Sequence, residues 1–319
     1  MNPILDSFAE PKLQTQLAPH HKSCLLLRNP VIIASGPFGY DFEKIAEVQR
    51  LGAVVCKGTT LHPRSGNPHP RTVETASGML NAIGLENPGI RIVIEKYVPI
   101  WATWQTPVIV NIAGETTEEF VKLAGQLEAV PGVAGIELNV SCPNVRAGGA
   151  VFGDSPQAVA AVTAAVRCAT TLPLIVKLSP NTGDVRPTAL AAASSGADVI
   201  SLINTITGMS IDIHARRSIL ANGTGGLSGP AIKPIALRMV NEVARELRSS
   251  YAHVPIIAIG GIGTTDDALE FLMAGASAVQ VGTINFANPR AGVEILEGIE
   301  EFLREEGVGD VAEIVGVAL

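Results

Sequence analysis

The sequence predicts an α/β protein built as a single (β/α)8 barrel, and three observations predict it. Eight short aliphatic runs alternate with helix-like segments along 319 residues. Each run passes into polar residues or glycine at its C-terminal end. The length also suits one barrel of roughly 250 residues carrying insertions.

The runs are Pro30–Ala34, Ala53–Cys56, Pro107–Ile112, Gly135–Val140, Leu172–Leu178, Ala197–Ile203, Pro255–Ile259 and Ala276–Val281. They are rich in Val and Ile and lack the alternation of a half-exposed strand. Strands covered on both faces by helices have this pattern. Between them lie amphipathic segments such as Thr117–Leu127, Pro156–Ala169, Pro230–Arg248 and Thr264–Ala274. Cap-like residues open several of these, at Thr116–Glu119, Asp154–Pro156 and Thr264–Asp267. Gly52-Ala53, Gly196-Ala197 and Gly275-Ala276 end helices and lead into strands. An open Rossmann-type sheet is the competing architecture, but no G-x-G-x-x-G follows the first run. Residues 1–28 form an N-terminal extension before the barrel domain of 29–319, and Leu25–Leu27 suits a capping hairpin. Insertions are expected after strands two, four and six. Those after strands two and six, residues 59–88 and 206–228, are long enough to expect function of them.

Composition narrows the function classes. Hydrophobic residues make up 47%, charged residues 17%, and the net charge is −7. A chain so apolar is not disordered, and one so acidic does not favour nucleic acid. Mean hydropathy is +0.32, yet no uninterrupted apolar stretch reaches the about 18 residues of a spanning helix. The N-terminus lacks a basic segment followed by an apolar core, so a soluble chain in the cytoplasm is expected. The four cysteines, Cys24, Cys56, Cys142 and Cys168, form no C-x-x-C. That excludes an iron–sulfur or zinc signature in this chain and argues against a disulfide framework. Cys56 and Cys168 sit in aliphatic runs and read as small buried hydrophobes. Cys142, in a turn between asparagines, reads as a nucleophile or general base. No H-x-H or H-E-x-x-H spacing suggests a metal.

Barrel enzymes carry their chemistry at the C-terminal ends of the strands. Here those ends are Ser35-Gly36, Lys57-Gly58, Asn111, Asn139 to Asn144, Lys177, Asn204-Thr205, Gly260-Gly261 and Gly282-Thr283. Any one lysine would pass for a solvated boundary residue. Two lysines and three asparagines at equivalent ends read as a site. Gly260–Gly263 and Gly282-Thr283 offer backbone N–H groups unobstructed by side chains, as a phosphate needs. The run Gly225–Pro230 is expected to add donors to the same anion. A flavin-free barrel lyase with Lys177 as Schiff-base amine is an alternative use of these groups.

The chain resembles the class 1 dihydroorotate dehydrogenases, FMN-containing barrels of pyrimidine biosynthesis. The matching stretches are Asn29–Gly39, Cys56–Arg71, Thr75–Gly89, Glu137–Val145, Ile175–Asn181, Ile203–Gly208, Gly225–Pro234 and Ile256–Ala278. TTLHPRSGNP and the G-G-x-x-F-G loop of Gly148–Gly153 look most like the NAD-linked subclass, whose barrel works with a separate FAD and [2Fe–2S] subunit. The resemblance implies FMN contacts from Ser35, Gly36, Lys57, Gly58, Asn111, Asn139, Lys177, Ile203, Gly229, Gly260, Gly261, Gly282 and Thr283. It implies substrate contacts from Lys57, Asn81, Ile83, Gly84, Leu85, Asn139, Asn144, Asn204 and Thr205. Cys142 would be the base that removes the C5 proton, and Lys177 would offset charge on the reduced flavin. A barrel homodimer flanked by two partner subunits is implied as well. A fumarate-linked homodimer is the alternative within the family.

Overall fold

The computed structural model describes residues 10–19, 24–42, 47–140, 153 and 155–319. Cys142, Asn144 and most of the glycine-rich stretch after the fourth strand lie outside these residues.

The barrel strands are β1 (Val31–Ile33), β2 (Ala53–Val55), β3 (Val108–Ile112), β4 (Gly135–Asn139), β5 (Leu174–Lys177), β6 (Val199–Leu202), β7 (Ile256–Ile259) and β8 (Ala278–Val281). They close in chain order into a parallel barrel, with β8 paired to β1. Every strand residue is buried except Asn139, which is half-buried. Burial on both faces is why the strands read as continuous aliphatic runs.

Around the barrel lie α1 (Thr117–Leu127), α2 (Pro156–Ala169), α3 (Arg186–Ser194), α4 (Lys233–Ser250), α5 (Thr265–Met273) and α6 (Ala291–Glu305). The second βα unit supplies a further helical segment over residues 90–101, interrupted by a π-type turn at Val93–Tyr97. The expected caps act as such. Thr116 Oγ1 accepts from the Glu119 N–H at 3.2 Å. Ser155 Oγ accepts from the Ala158 N–H at 3.1 Å, and Thr264 and Asp267 form a capping box on α5. The segment from Pro230 begins as the 3-10 turn Pro230–Ile232 before α4 starts.

The barrel interior has two layers, set by the two-residue period of a strand. Ile109, Ile175, Val199 and Ala278 belong to an apolar layer. Two residues further along the same strands stand Asn111, Lys177, Ser201 and Gln280, all buried and polar. The hairpin of Thr15–Leu17 and Leu25–Leu27 closes the apolar end. Its Leu17, Leu25 and Leu27 pack into the apolar layer, so residues ahead of the first strand complete the core.

At the opposite end the insertions after β2 and β6 meet. Ile206–Gly208, Gly225–Ser228, Gly78–Asn81 and Thr72–Thr75 form one antiparallel sheet in that order. Gly225–Ser228 is therefore a central strand paired on both sides, which corrects its reading as an anion-binding run. Its glycines serve close packing, since a Cβ on Gly226 would stand 2.1 Å from Thr205 Oγ1. Cys168 is a second correction. It is exposed because the helical period turns Val159, Val162 and Val166 of α2 inward and leaves Cys168 outside. Cys56 is buried as expected, and burial pushes its thiol up to about 12.

Leu27 is 0% exposed, so Leu27→Ala should lower unfolding stability by about 2–5 kcal/mol, measured by denaturant titration. Alkylation of the native protein should modify Cys24 and Cys168, both exposed. Cys56 should react only after unfolding, as peptide mapping would show.

Candidate active site

A cavity of about 620 Å³ opens at the C-terminal rim, within the size range of small-ligand sites. Its wall is built from strand ends: Ser35 and Gly36 after β1, Lys57 and Gly58 after β2, Asn111 on β3, Asn139 on β4 and Lys177 on β5. Ile203, Asn204 and Thr205 follow β6, Gly260 and Gly261 follow β7, and Gly282 and Thr283 follow β8. The antiparallel sheet and its loops contribute Asn81, Ile83, Gly84, Leu85 and Gly229. All the expected cofactor positions thus line one cavity, as do the expected substrate positions other than Asn144. The structure adds Thr72, Met79, Ser228, Ile284 and Phe286 to the lining. Thr72, Met79 and Ser228 belong to insertion strands that aliphatic periodicity does not reveal.

The polar groups are held by their neighbours. Asn204 Nδ2 donates to Asn139 Oδ1 at 3.2 Å, and the Thr205 N–H donates to Asn204 Oδ1 at 2.8 Å. Lys177 Nζ stands 3.8 Å from Glu137 Oε1. Burial holds the Lys57 ammonium below the usual lysine range; nearby Glu86 opposes this and Arg71 adds to it. Arg71 and Glu86 pair with each other at 2.5 Å. A cation with a weakened hold on its proton, facing a cavity, is suited to an anionic ligand that restores the charge.

The turn after β7 is split between two tasks. The Gly263 and Thr264 N–H groups donate to Asp267 Oδ2, each at 2.9 Å, and Lys233 Nζ meets the other oxygen of Asp267 at 2.5 Å. The Gly263 N–H therefore serves the start of α5, while Gly260-Gly261 and Gly282-Thr283 line the cavity. Gly261 has φ +78°, and a Cβ there would lie 2.7 Å from Lys233 Cβ.

The cavity fits a heterocyclic cofactor bearing a phosphate. Asn111 Oδ1 is buried and finds no partner among the described residues, so a ligand donor would satisfy it. A Cβ on Gly58 would come within 3.2 Å of that oxygen and of Leu85 Cδ2; glycine keeps the space open. The family model for dihydroorotate dehydrogenase matches residues 21–303.

The chain belongs to the dihydroorotate dehydrogenase family. It is an oxidoreductase of that family, and several relatives share the NAD-linked name "dihydroorotate dehydrogenase B (NAD(+)), catalytic subunit". The Pelobacter propionicus protein of that name is 56% identical over 294 residues, covering 92% of this chain and 95% of its own. The Trichlorobacter lovleyi protein is 54% identical with the same coverage. The Geotalea daltonii protein is 53% identical over 310 residues, covering 97% of this chain and 98% of its own. A crystal structure of a dihydroorotate dehydrogenase from Eimeria tenella in complex with ferulenol superposes with a TM-score of 0.79. It is 22% identical, covers 99% of this chain and 90% of its own, and attests the shared fold. Among the described residues no helix is long and apolar enough to cross a membrane.

Orotate serves as a probe of Lys57. Its affinity should fall as pH rises through the lowered Lys57 value, because the ammonium is lost earlier than from an ordinary lysine. In Lys57→Gln the alkaline fall should vanish and binding should be weaker throughout, as titration calorimetry across pH would record.

Proposed function

We propose that this chain oxidises (S)-dihydroorotate to orotate with FMN bound in the cavity, serving pyrimidine biosynthesis in the cytoplasm. Electrons then leave through a partner subunit carrying FAD and a [2Fe–2S] cluster, with NAD as the final acceptor. The observation that supports this most is the convergence of Lys57, Asn111, Asn139, Lys177, Gly261 and Thr283 on one cavity. The relatives' designation as a catalytic subunit supports the partner. A barrel homodimer flanked by two partner subunits is the assembly we favour.

When bound, FMN supplies the hydride acceptor that no side chain provides. The chain's residues do the rest. Lys57 and Asn139 bear on both cofactor and substrate. Asn81, Asn144, Asn204 and Thr205 present donors and acceptors to the substrate's ring amides and carboxylate. Ile83, Gly84 and Leu85 line the cavity and would shield the substrate from water. Gly260, Gly261, Gly282 and Thr283 hold the phosphate through backbone N–H groups, while Ser35, Gly36, Gly58, Ile203 and Gly229 shape the cofactor's bed. Lys177, in the cavity lining, would hold positive charge beside the bound cofactor and so favour its reduction. Cys142 takes the C5 proton as the C6 hydride departs, leaving the ring double bond of orotate.

Anaerobic mixing with dihydroorotate tests the reading: the oxidised flavin absorbance should bleach, and an unchanged spectrum would contradict it. Cys142→Ser should keep its flavin yet be reduced about 10²–10⁴-fold more slowly at neutral pH. Assay of the complex purified from its native source should show activity with NAD. Activity with fumarate instead would favour the other subclass.

A further inference from the structure

Glu137 is 0% exposed and is the one carboxylate buried among the described residues. It stands on β4 inside the barrel, directly beneath the cavity floor. Its Oε1 accepts from Asn111 Nδ2 at 2.6 Å and faces Lys177 Nζ at 3.8 Å. Its Oε2 accepts from Gln280 Nε2 at 2.8 Å and from Ser201 Oγ at 3.2 Å. Groups from four other strands therefore meet at one carboxylate. Stability is a poor reason for such a group. An apolar side chain of similar volume avoids the desolvation of a buried charge and is often as stable or more so.

The consequence lies in the direction of the Asn111 amide. An amide has a donor end and an acceptor end, and the carboxylate, which only accepts, holds the donor end. Asn111 Oδ1 is then committed to the other side, where it is buried without a partner among the described residues at the cavity wall. A glutamine at 137 would lack this polarity, because its own amide can donate to Asn111 Oδ1 and turn the Asn111 donors toward the cavity.

We infer that Glu137 is a positioning residue that orients Asn111 to present a hydrogen-bond acceptor to a ring N–H of the bound heterocycle. This rests on the flavin reading above, in which the ring N–H is that of the flavin's imide edge. Asn111 touches the cofactor, Glu137 acts through it, and Lys177 balances the charge of Glu137 at the same floor.

The test is FMN binding to apoprotein, followed by quenching of flavin fluorescence, with the visible spectrum recorded at saturation. Glu137→Gln should weaken FMN about tenfold and shift the flavin bands, because a donor then faces a donor. In an Asn111→Ala background the same substitution should change the affinity less than about threefold, since the residue it acts through is gone. Wild-type affinity and spectrum in Glu137→Gln, with only a lower melting temperature, would reduce Glu137 to a packing element and overturn the inference. An equal loss in both backgrounds would overturn it too. Should Glu137→Gln not fold, Glu137→Asp is read instead; it keeps the charge but withdraws it from Asn111. A loss of about threefold or more is expected there, and unaltered affinity overturns the inference. Failure of the wild-type apoprotein to bind FMN would overturn the proposed function and this inference with it. Normal wild-type binding beside an indifferent Glu137→Gln overturns this inference alone.

Discussion

The cluster of hydrogen bonds on the buried Glu137 carboxylate is the interaction around which the upper half of the barrel is arranged. Asn111, Gln280 and Ser201 each donate to it, and Lys177 supplies the opposite charge. Closing eight parallel strands fixes where these residues meet, because a two-residue step along each strand carries the interior from an apolar layer to a polar one. The lower layer is sealed by leucines of the N-terminal hairpin. Asn111 and Lys177 of the upper layer line the cavity. The barrel is thus a packed core at one end and a preorganised polar surface at the other, and one parity of strand residues determines both.

This division explains how chemistry is brought to a scaffold so apolar. Flexible lysine and asparagine side chains are of little use to a reaction unless something holds them. Asn139 and Asn204 hold each other, Asp267 secures the turn after β7, and the insertions after β2 and β6 join into one sheet across the mouth. That sheet ties together chain segments more than a hundred residues apart, as in the pairing of Asn81 with Gly226. Its glycines are there because side chains such as Thr205 leave no room for a Cβ.

The architecture was legible in the sequence because double burial leaves an unmistakable mark. Each barrel strand falls inside one aliphatic run, and Thr116, Ser155 and Thr264 cap the helices they precede. The cavity lining was legible because strand ends carry polar residues, and the resemblance to a known family sharpened which ones. Long-range pairing was not. Nothing local in Gly225–Ser228 announces that its partners are Gly78–Asn81 and Ile206–Gly208, so the run passed for an anion loop. Cys168 was misplaced because an aliphatic neighbourhood says nothing of which helical face a residue occupies. Glu137 was hidden for the opposite reason. Its partners lie on four other strands, and only the closed barrel brings them to it.

The central claim is that these strand ends form one site for a phosphate-bearing flavin. Quantifying the flavin released by heat from the protein as purified tests it most directly. One equivalent of FMN per chain, in a yellow protein, is the predicted result. A colourless protein that releases no flavin and takes none up would contradict the account.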